Sequence, residues 1–180
     1  MYTTNKTCIK NAFDVKLDTH DICQDQSLHM EQWEKLVKIK GPITAGEIND
    51  NLATVYSYIG AINVTDVDRL RLNELPVSFV ALYNNHWIAI YLDKNRLEIM
   101  DSTHSLFEAP PPAFINFLYQ NRDKTIRFNP VLQSNETNVC GLYCIHFIQE
   151  KAKHVSYSNI LKTFTNNSVL NDYIIISMQK

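Results

Sequence analysis

The chain has 180 residues, of which 45% are hydrophobic and 20% charged, an ordinary globular composition that excludes disordered and collagen-like architectures. A chain of this length buries roughly 70% of its unfolded surface, enough for a core without metal or disulfide staples. With 17 Lys+Arg against 19 Asp+Glu, the net charge of -2 argues against a dedicated nucleic-acid binder.

One domain spanning 1–180 is expected. Residues 1–25 are polar, without a clear period, and read as an extended N-terminal arm. Residues 27–39 predict a helix with Ser27 as N-cap, Leu28, Trp33, Leu36, Val37 and Ile39 as its apolar set, and Gly41 and Pro42 as the stop. Thr44 and Glu47 have capping-box spacing and open a second helix to about residue 57, apolar at Ile48, Leu52, Val55 and Tyr56. Gly60 is its expected terminator. After Pro76 the period changes to that of strands, at 77–83, 86–92 and 96–101, the last two joined by a short polar turn. A proline-started helix is predicted over 113–120 and a short strand over 125–128. A helix over 140–153 is apolar on nearly all sides in its first turns and is read as central. Closing helices are expected at 156–164 and 169–178. The fold class is α+β: a small, mostly antiparallel central sheet flanked by helices.

No run reaches 18 apolar residues, so no transmembrane helix and no membrane partner are expected. The opening stretch lacks the apolar core of an export signal, so an intracellular, non-secreted protein is expected, with Cys8, Cys23, Cys140 and Cys144 reduced. Asn5, Asn63, Asn135 and Asn166 fit the glycosylation pattern, and are read as chance matches in an Asn- and Thr-rich chain.

Three features converge on one chemistry. Cys140 stands where an Asn-rich loop becomes an apolar helix, and the positive end of a helix dipole favours a thiolate, the nucleophilic form. His86 opens one strand and Asp101 closes the next. With a two-residue turn at Asp93-Lys94 or at Lys94-Asn95, His86, Ile88, Ile90, Leu97, Ile99 and Asp101 share one face of the hairpin. A three-residue loop would break that parity. Gln133 lies seven residues before Cys140, so that its amide and the Cys140 N–H could form an oxyanion hole. Singly, each residue has a plainer role: a small core thiol, a satisfied imidazole beside Trp87, a strand-end cap, a loop amide. The ordered set is what points to catalysis.

His86-Trp87, then Asp101-Ser102, then Gln133, then Cys140-Gly141 with Leu142, Tyr143 and Cys144 resembles the adenain/SUMO-protease group of cysteine proteases, clan CE. The Gln-to-Cys spacing and the Cys-Gly-Leu-Tyr-Cys run are similar to the adenovirus maturation protease, whereas Asp at 101 is more like the SUMO proteases. Tyr58 to Gly60, followed by Asp66, faintly resembles viral relatives, including those of virophages and Maverick-type elements. The resemblance covers about residues 58–150. It implies a papain-like scaffold of the adenain type, with a central helix carrying the nucleophile at its N-terminus. It implies Cys140 as nucleophile, His86 as base, Asp101 as orienting carboxylate, Gln133 in the oxyanion hole and Trp87 over the substrate channel.

The implied activity is a cysteine endopeptidase cutting after small residues, of Gly-Gly or Gly-X type, on viral capsid precursors during virion maturation. The host cytoplasm or nucleus and the virion are its expected locations. A SUMO-type deconjugating protease is the alternative, and a non-catalytic capsid-binding or assembly factor is the alternative of another class. The protein is read as a monomer with no cofactor. A DNA or peptide activator of the adenain kind is supported neither by the charge nor by a cysteine between Asp101 and Gln133. No metal is expected, because Cys140 and Cys144 share a helix face that His146 does not. His104 lacks the strand-start context and is read as a surface loop residue. His20, His29 and His154 are read as solvated, Tyr143 and Phe147 as core, and Cys8 and Cys23 as surface thiols.

Overall fold

The computed structural model describes residues 42–72 and 74–178. The expected arm at 1–25 and helix at 27–39, with Cys8, Cys23, His20 and His29, lie outside the described residues.

The first described helix, α1 (Ala45–Leu52), opens on the expected capping box: Glu47 N donates to Thr44 Oγ1 at 3.2 Å and Thr44 N to the Glu47 carboxylate at 2.7 Å. It ends five residues earlier than its apolar pattern suggests. The following residues instead turn into a strand, β1 (Tyr58–Asn63). Gly60 therefore ends no helix. It sits inside β1 at φ 127°, where the register against the next strand shifts between Tyr58 and Ala61. A side chain rarely tolerates that backbone, so glycine is what permits the bulge.

A 3-10 helix (Val64–Arg69), capped by Asn63 through Thr65 N at 3.0 Å, leads to β2 (Val77–Tyr83). Asn84 and Asn85, with φ of 47° and 61°, form the two-residue turn to β3 (His86–Leu92). Asparagine adopts left-handed backbone more readily than most residues, and such turns match the twist of a hairpin. The turn into β4 (Arg96–Met100) is Lys94-Asn95: Asp93 N donates to Arg96 O at 2.9 Å, and the Asp93 carboxylate accepts from Asn95 N and Arg96 N. This is the second of the two registers considered, with Leu92 opposite Leu97 and Ile90 opposite Ile99. The short helix α2 (Ser105–Glu108), α3 (Pro112–Gln120) and β5 (Thr125–Phe128) follow. The chain closes with α4 (Cys140–Ala152), α5 (Tyr157–Leu161) and α6 (Ser168–Ser177).

The five strands lie in the order β1-β2-β3-β4-β5. The fold is α+β, with a mixed, open sheet flanked by helices. The expectation of a mostly antiparallel sheet needs correction: β2–β3 and β3–β4 are antiparallel, but both outer pairs, β1–β2 and β4–β5, are parallel. The cause is in the connections. The inner pairs are joined by two-residue turns, whereas each outer pair is joined by a helical crossover that returns the chain to the same end.

Every residue of β3 is buried, because both sheet faces are covered. On one face Val80, Ala89 and Met100 pack with Ile48, Phe147 and Ile148 from α1 and α4. On the other, Phe79, Ile90 and Ile99 pack with Val67, Phe114 and Phe117 from the 3-10 helix and α3. Each of the larger of these side chains contributes about 1.5–3 kcal/mol on burial. Helix α4 has its first six residues buried, as its all-round apolar start requires. Its far end is tied to the sheet by Lys151, whose Nζ lies 2.7 Å from the buried Glu98 carboxylate and 4.4 Å from the Tyr91 ring centroid.

Candidate active site

Three element ends meet at one end of the sheet: the start of β3 at His86, the exit of β4 at Asp101 and the start of α4 at Cys140. His86 Nε2 lies 2.8 Å from Asp101 Oδ1. The Ala89–Met100 pair puts Asp101 level with Ile88, so the imidazole reaches the carboxylate diagonally, two residues along the strand. The Trp87 N–H points at Cys140 Sγ from 3.5 Å. With Nε2 committed to Asp101, Nδ1 is the nitrogen left for the sulfur.

The electrostatics follow from this geometry. Burial alone would depress the His86 pKa. Hydrogen bonds to Asp101 and Cys140, with the charges behind them, outweigh it and push the imidazole up to about 9. Burial also works against the Asp101 carboxylate, but the His86 contact and the Leu106 N–H on Oδ2 at 2.9 Å hold it below its ordinary value. At neutral pH the two form a charged pair.

Asp101 is fully buried, and its own backbone is clamped. Its N–H donates to Asn129 Oδ1 and its carbonyl accepts from Asn129 Nδ2, each at 2.8 Å. Thr103 adds a hydroxyl near both partners, 3.3 Å from His86 Nε2 and 3.4 Å from Asp101 Oδ1. His104, expected on the surface, is half-buried with its ring nitrogen on the Asn129 carbonyl. It supports the clamp and faces away from base duty. Asn129 and Thr103 escaped sequence reasoning because a loop Asn and a loop Thr carry no periodic signal. The one available clue for Asn129 is its position directly after the strand paired with β4.

Trp87 and Gly141 fix the approach to the sulfur. Trp87 Nε1 donates to Ile43 O at 2.9 Å. A Cβ on Gly141 would stand 1.9 Å from Ile43 Cγ2 and 3.3 Å from Trp87 Cδ1. The glycine after Cys140 thus lets Ile43 and the indole close over the first turn of α4. Val139 supplies no side-chain cap there. The first N–H groups of a helix have no intrahelical partner, so the Cys140 and Gly141 amides remain as donors beside the sulfur.

Gln133 is placed differently from the other four residues. It is buried, and its side chain bonds to Ser102 and Thr137 rather than to His86, Trp87, Asp101 or Cys140. Ser102 Oγ donates to Oε1 at 2.7 Å, which orients the amide. Nε2 donates to Thr137 O at 2.8 Å, with Thr137 Oγ1 a longer 3.3 Å away. The amide nitrogen thus has one short and one longer acceptor, both on Thr137.

Cys144 is buried one turn below Cys140, and burial raises its thiol well above the ordinary value. His146 packs perpendicular to the Phe164 ring, 5.9 Å between centroids. Among the described residues no group of three or more His, Cys, Asp or Glu side chains is placed to hold a metal ion. No protein-family model matches this sequence, and no curated protein aligns with it significantly.

A thiol, an imidazole and a carboxylate in series, with free helix N–H groups beside the sulfur, is an arrangement suited to nucleophilic acyl transfer.

Proposed function

We propose that the protein is a cysteine endopeptidase on a papain-like scaffold of the adenain type, with Cys140 as nucleophile. One observation carries this: the Cys140 sulfur receives the Trp87 N–H at 3.5 Å, beside an imidazole whose pKa is lifted to about 9 by both Asp101 and Cys140.

The Cys140 thiolate adds to the substrate carbonyl carbon, and the C=O electron pair moves to oxygen. In this reading the Cys140 and Gly141 N–H groups stabilise the oxyanion, joined, by resemblance, by the Gln133 amide. The tetrahedral species collapses to a thioester as the amine leaves with a proton from His86. Water then attacks the thioester. His86 takes the water proton, the acid departs, and the thiolate–imidazolium pair is restored. Asp101 fixes the ring orientation throughout.

By resemblance, the substrate has small residues of Gly-Gly or Gly-X type before the cut. The physiological substrates we infer are capsid precursors during virion maturation, in the host cell and the virion, processed by a monomer with no cofactor. Asp at 101, as in the SUMO proteases, favours a ubiquitin-like deconjugase as the second reading.

The test is incubation with capsid precursors and with SUMO- and ubiquitin-tail probes, the new termini being read by mass spectrometry. Cleavage is expected from the wild type and from Cys144→Ala, and none from Cys140→Ala. Full activity in Cys140→Ala would refute the mechanism. Specific binding of capsid proteins without cleavage would move the protein to a non-catalytic assembly role.

A further inference from the structure

The segment joining Gln133 to Cys140 is irregular, yet it must hold an amide and a helix N-terminus in fixed relation. Its bracing comes from α6. Asp172 is fully buried, and its two oxygens serve two different elements. Oδ2 accepts from Ser134 N at 3.0 Å and from Thr137 Oγ1 at 2.8 Å, both in the loop. Oδ1 accepts from Tyr143 Oη at 2.8 Å, in the first turn of α4. The neighbouring Asn171 Nδ2 donates to Leu132 O at 3.1 Å, just before Gln133. The carbonyl of Thr137 in turn accepts from Gln133 Nε2 at 2.8 Å. One carboxylate thus ties the loop to the helix that carries Cys140, and reaches Gln133 through a single intermediate residue. No described cation pairs with Asp172, so its three donors are neutral.

We propose that Asp172 is a positioning residue for acyl transfer at Cys140: it sets the 133–140 loop so that the oxyanion donors face the developing charge. This rests on the acyl-transfer reading of Cys140, but not on any particular peptide substrate. Asp172 touches neither the sulfur nor His86, so it acts on the tetrahedral intermediate and leaves the thiolate alone.

The experiment compares two reactions of Cys140 in the full chain. Acylation by p-nitrophenyl acetate passes through an oxyanion: the sulfur forms the thioester bond and p-nitrophenolate leaves. Alkylation by iodoacetamide displaces iodide and forms no oxyanion. Both adducts are assigned to Cys140 by mass spectrometry. Asp172→Ala should lower the acylation rate about 10- to 100-fold, given what single oxyanion donors are worth, while alkylation stays within about twofold. Asp172→Asn should recover most of the loss, because Tyr143 can turn its hydroxyl hydrogen toward Leu132 O, 3.4 Å away, and accept from the new amide. Should Asp172→Ala not fold, Thr137→Val removes the hydroxyl bond to Asp172 together with its longer contacts to Gln133 and Ser134, keeps the Ser134 N–H tie, and should still separate the two rates, by about 5-fold. Parallel loss of both reactions, or no change in either, would overturn the proposal. The split in Asp172→Ala, alongside a wild type that cleaves no protein substrate, would count against the peptidase reading alone.

Discussion

His86 Nε2 and Asp101 Oδ1 lie 2.8 Å apart, on two strands whose register puts them two residues out of line. Because the approach is diagonal, the carboxylate must be held by something other than strand pairing. The Leu106 and Thr103 N–H groups hold the carboxylate itself, and Asn129 clamps the Asp101 backbone. Asp101→Asn would keep the size of the side chain but remove the charge that favours the imidazolium. The His86 pKa is expected to fall from about 9, visible by NMR titration of the ring. Turnover should drop by roughly 10²-fold or more. An unmoved His86 titration would show that Asp101 does not control the ring.

The same raised pKa links stability to pH. His86 titrates near 6.5 when unfolded and near 9 when folded, so the folded state binds its proton more tightly. The resulting stabilisation is complete below about pH 6.5 and is lost as pH rises through about 9. Its full size is roughly 3 kcal/mol. Urea unfolding of the wild type should weaken between pH 6.5 and 9.5 by more than that of His86→Gln. Equal slopes would mean that the imidazole gains no proton affinity on folding.

Gly141→Ala sets two effects against each other. Alanine favours a helix over glycine by about 1 kcal/mol. The added methyl, however, would stand 1.9 Å from Ile43 Cγ2, and β-branched Ile43 has little rotamer freedom to yield. Overpacking should win, with a net loss of about 1–2 kcal/mol in urea unfolding. Ile43→Ala in the same chain should remove that penalty. A double-mutant cycle with no coupling would contradict the packing of Ile43 on Gly141.

Lys151→Met keeps much of the side-chain volume but strips the buried Glu98 of its cation at 2.7 Å. Arg127, at 3.7 Å and partly exposed, is a weaker substitute. A loss of about 3–5 kcal/mol is expected, measured as the urea midpoint at constant slope. Lys151 lies three helical turns from Cys140, so iodoacetamide reactivity of Cys140 in the folded variant should be unchanged.

What the sequence by itself determined is local. The β-branched and aromatic runs between Val77 and Met100 specified three strands, Thr44 and Glu47 an N-cap, the proline at 112 the first turn of α3, and the all-apolar start at Cys140 a buried helix. The hairpin parity placed His86 and Asp101 on one face before any register was known. Other features were decided only by tertiary contacts. Strand β1 has no place in the local pattern, which reads a helix to about residue 57 and Gly60 as its terminator; only the parallel neighbour makes these residues a strand. The sheet became mixed because crossover direction depends on which face each helix covers, which no local pattern encodes. Gln133, Ser102, Asn129 and Asp172 are far apart in the chain, and each is an unremarkable polar residue until folding buries it. Burial removes water as a partner, so their hydrogen bonds must be made to other protein groups, and that requirement exists only in three dimensions.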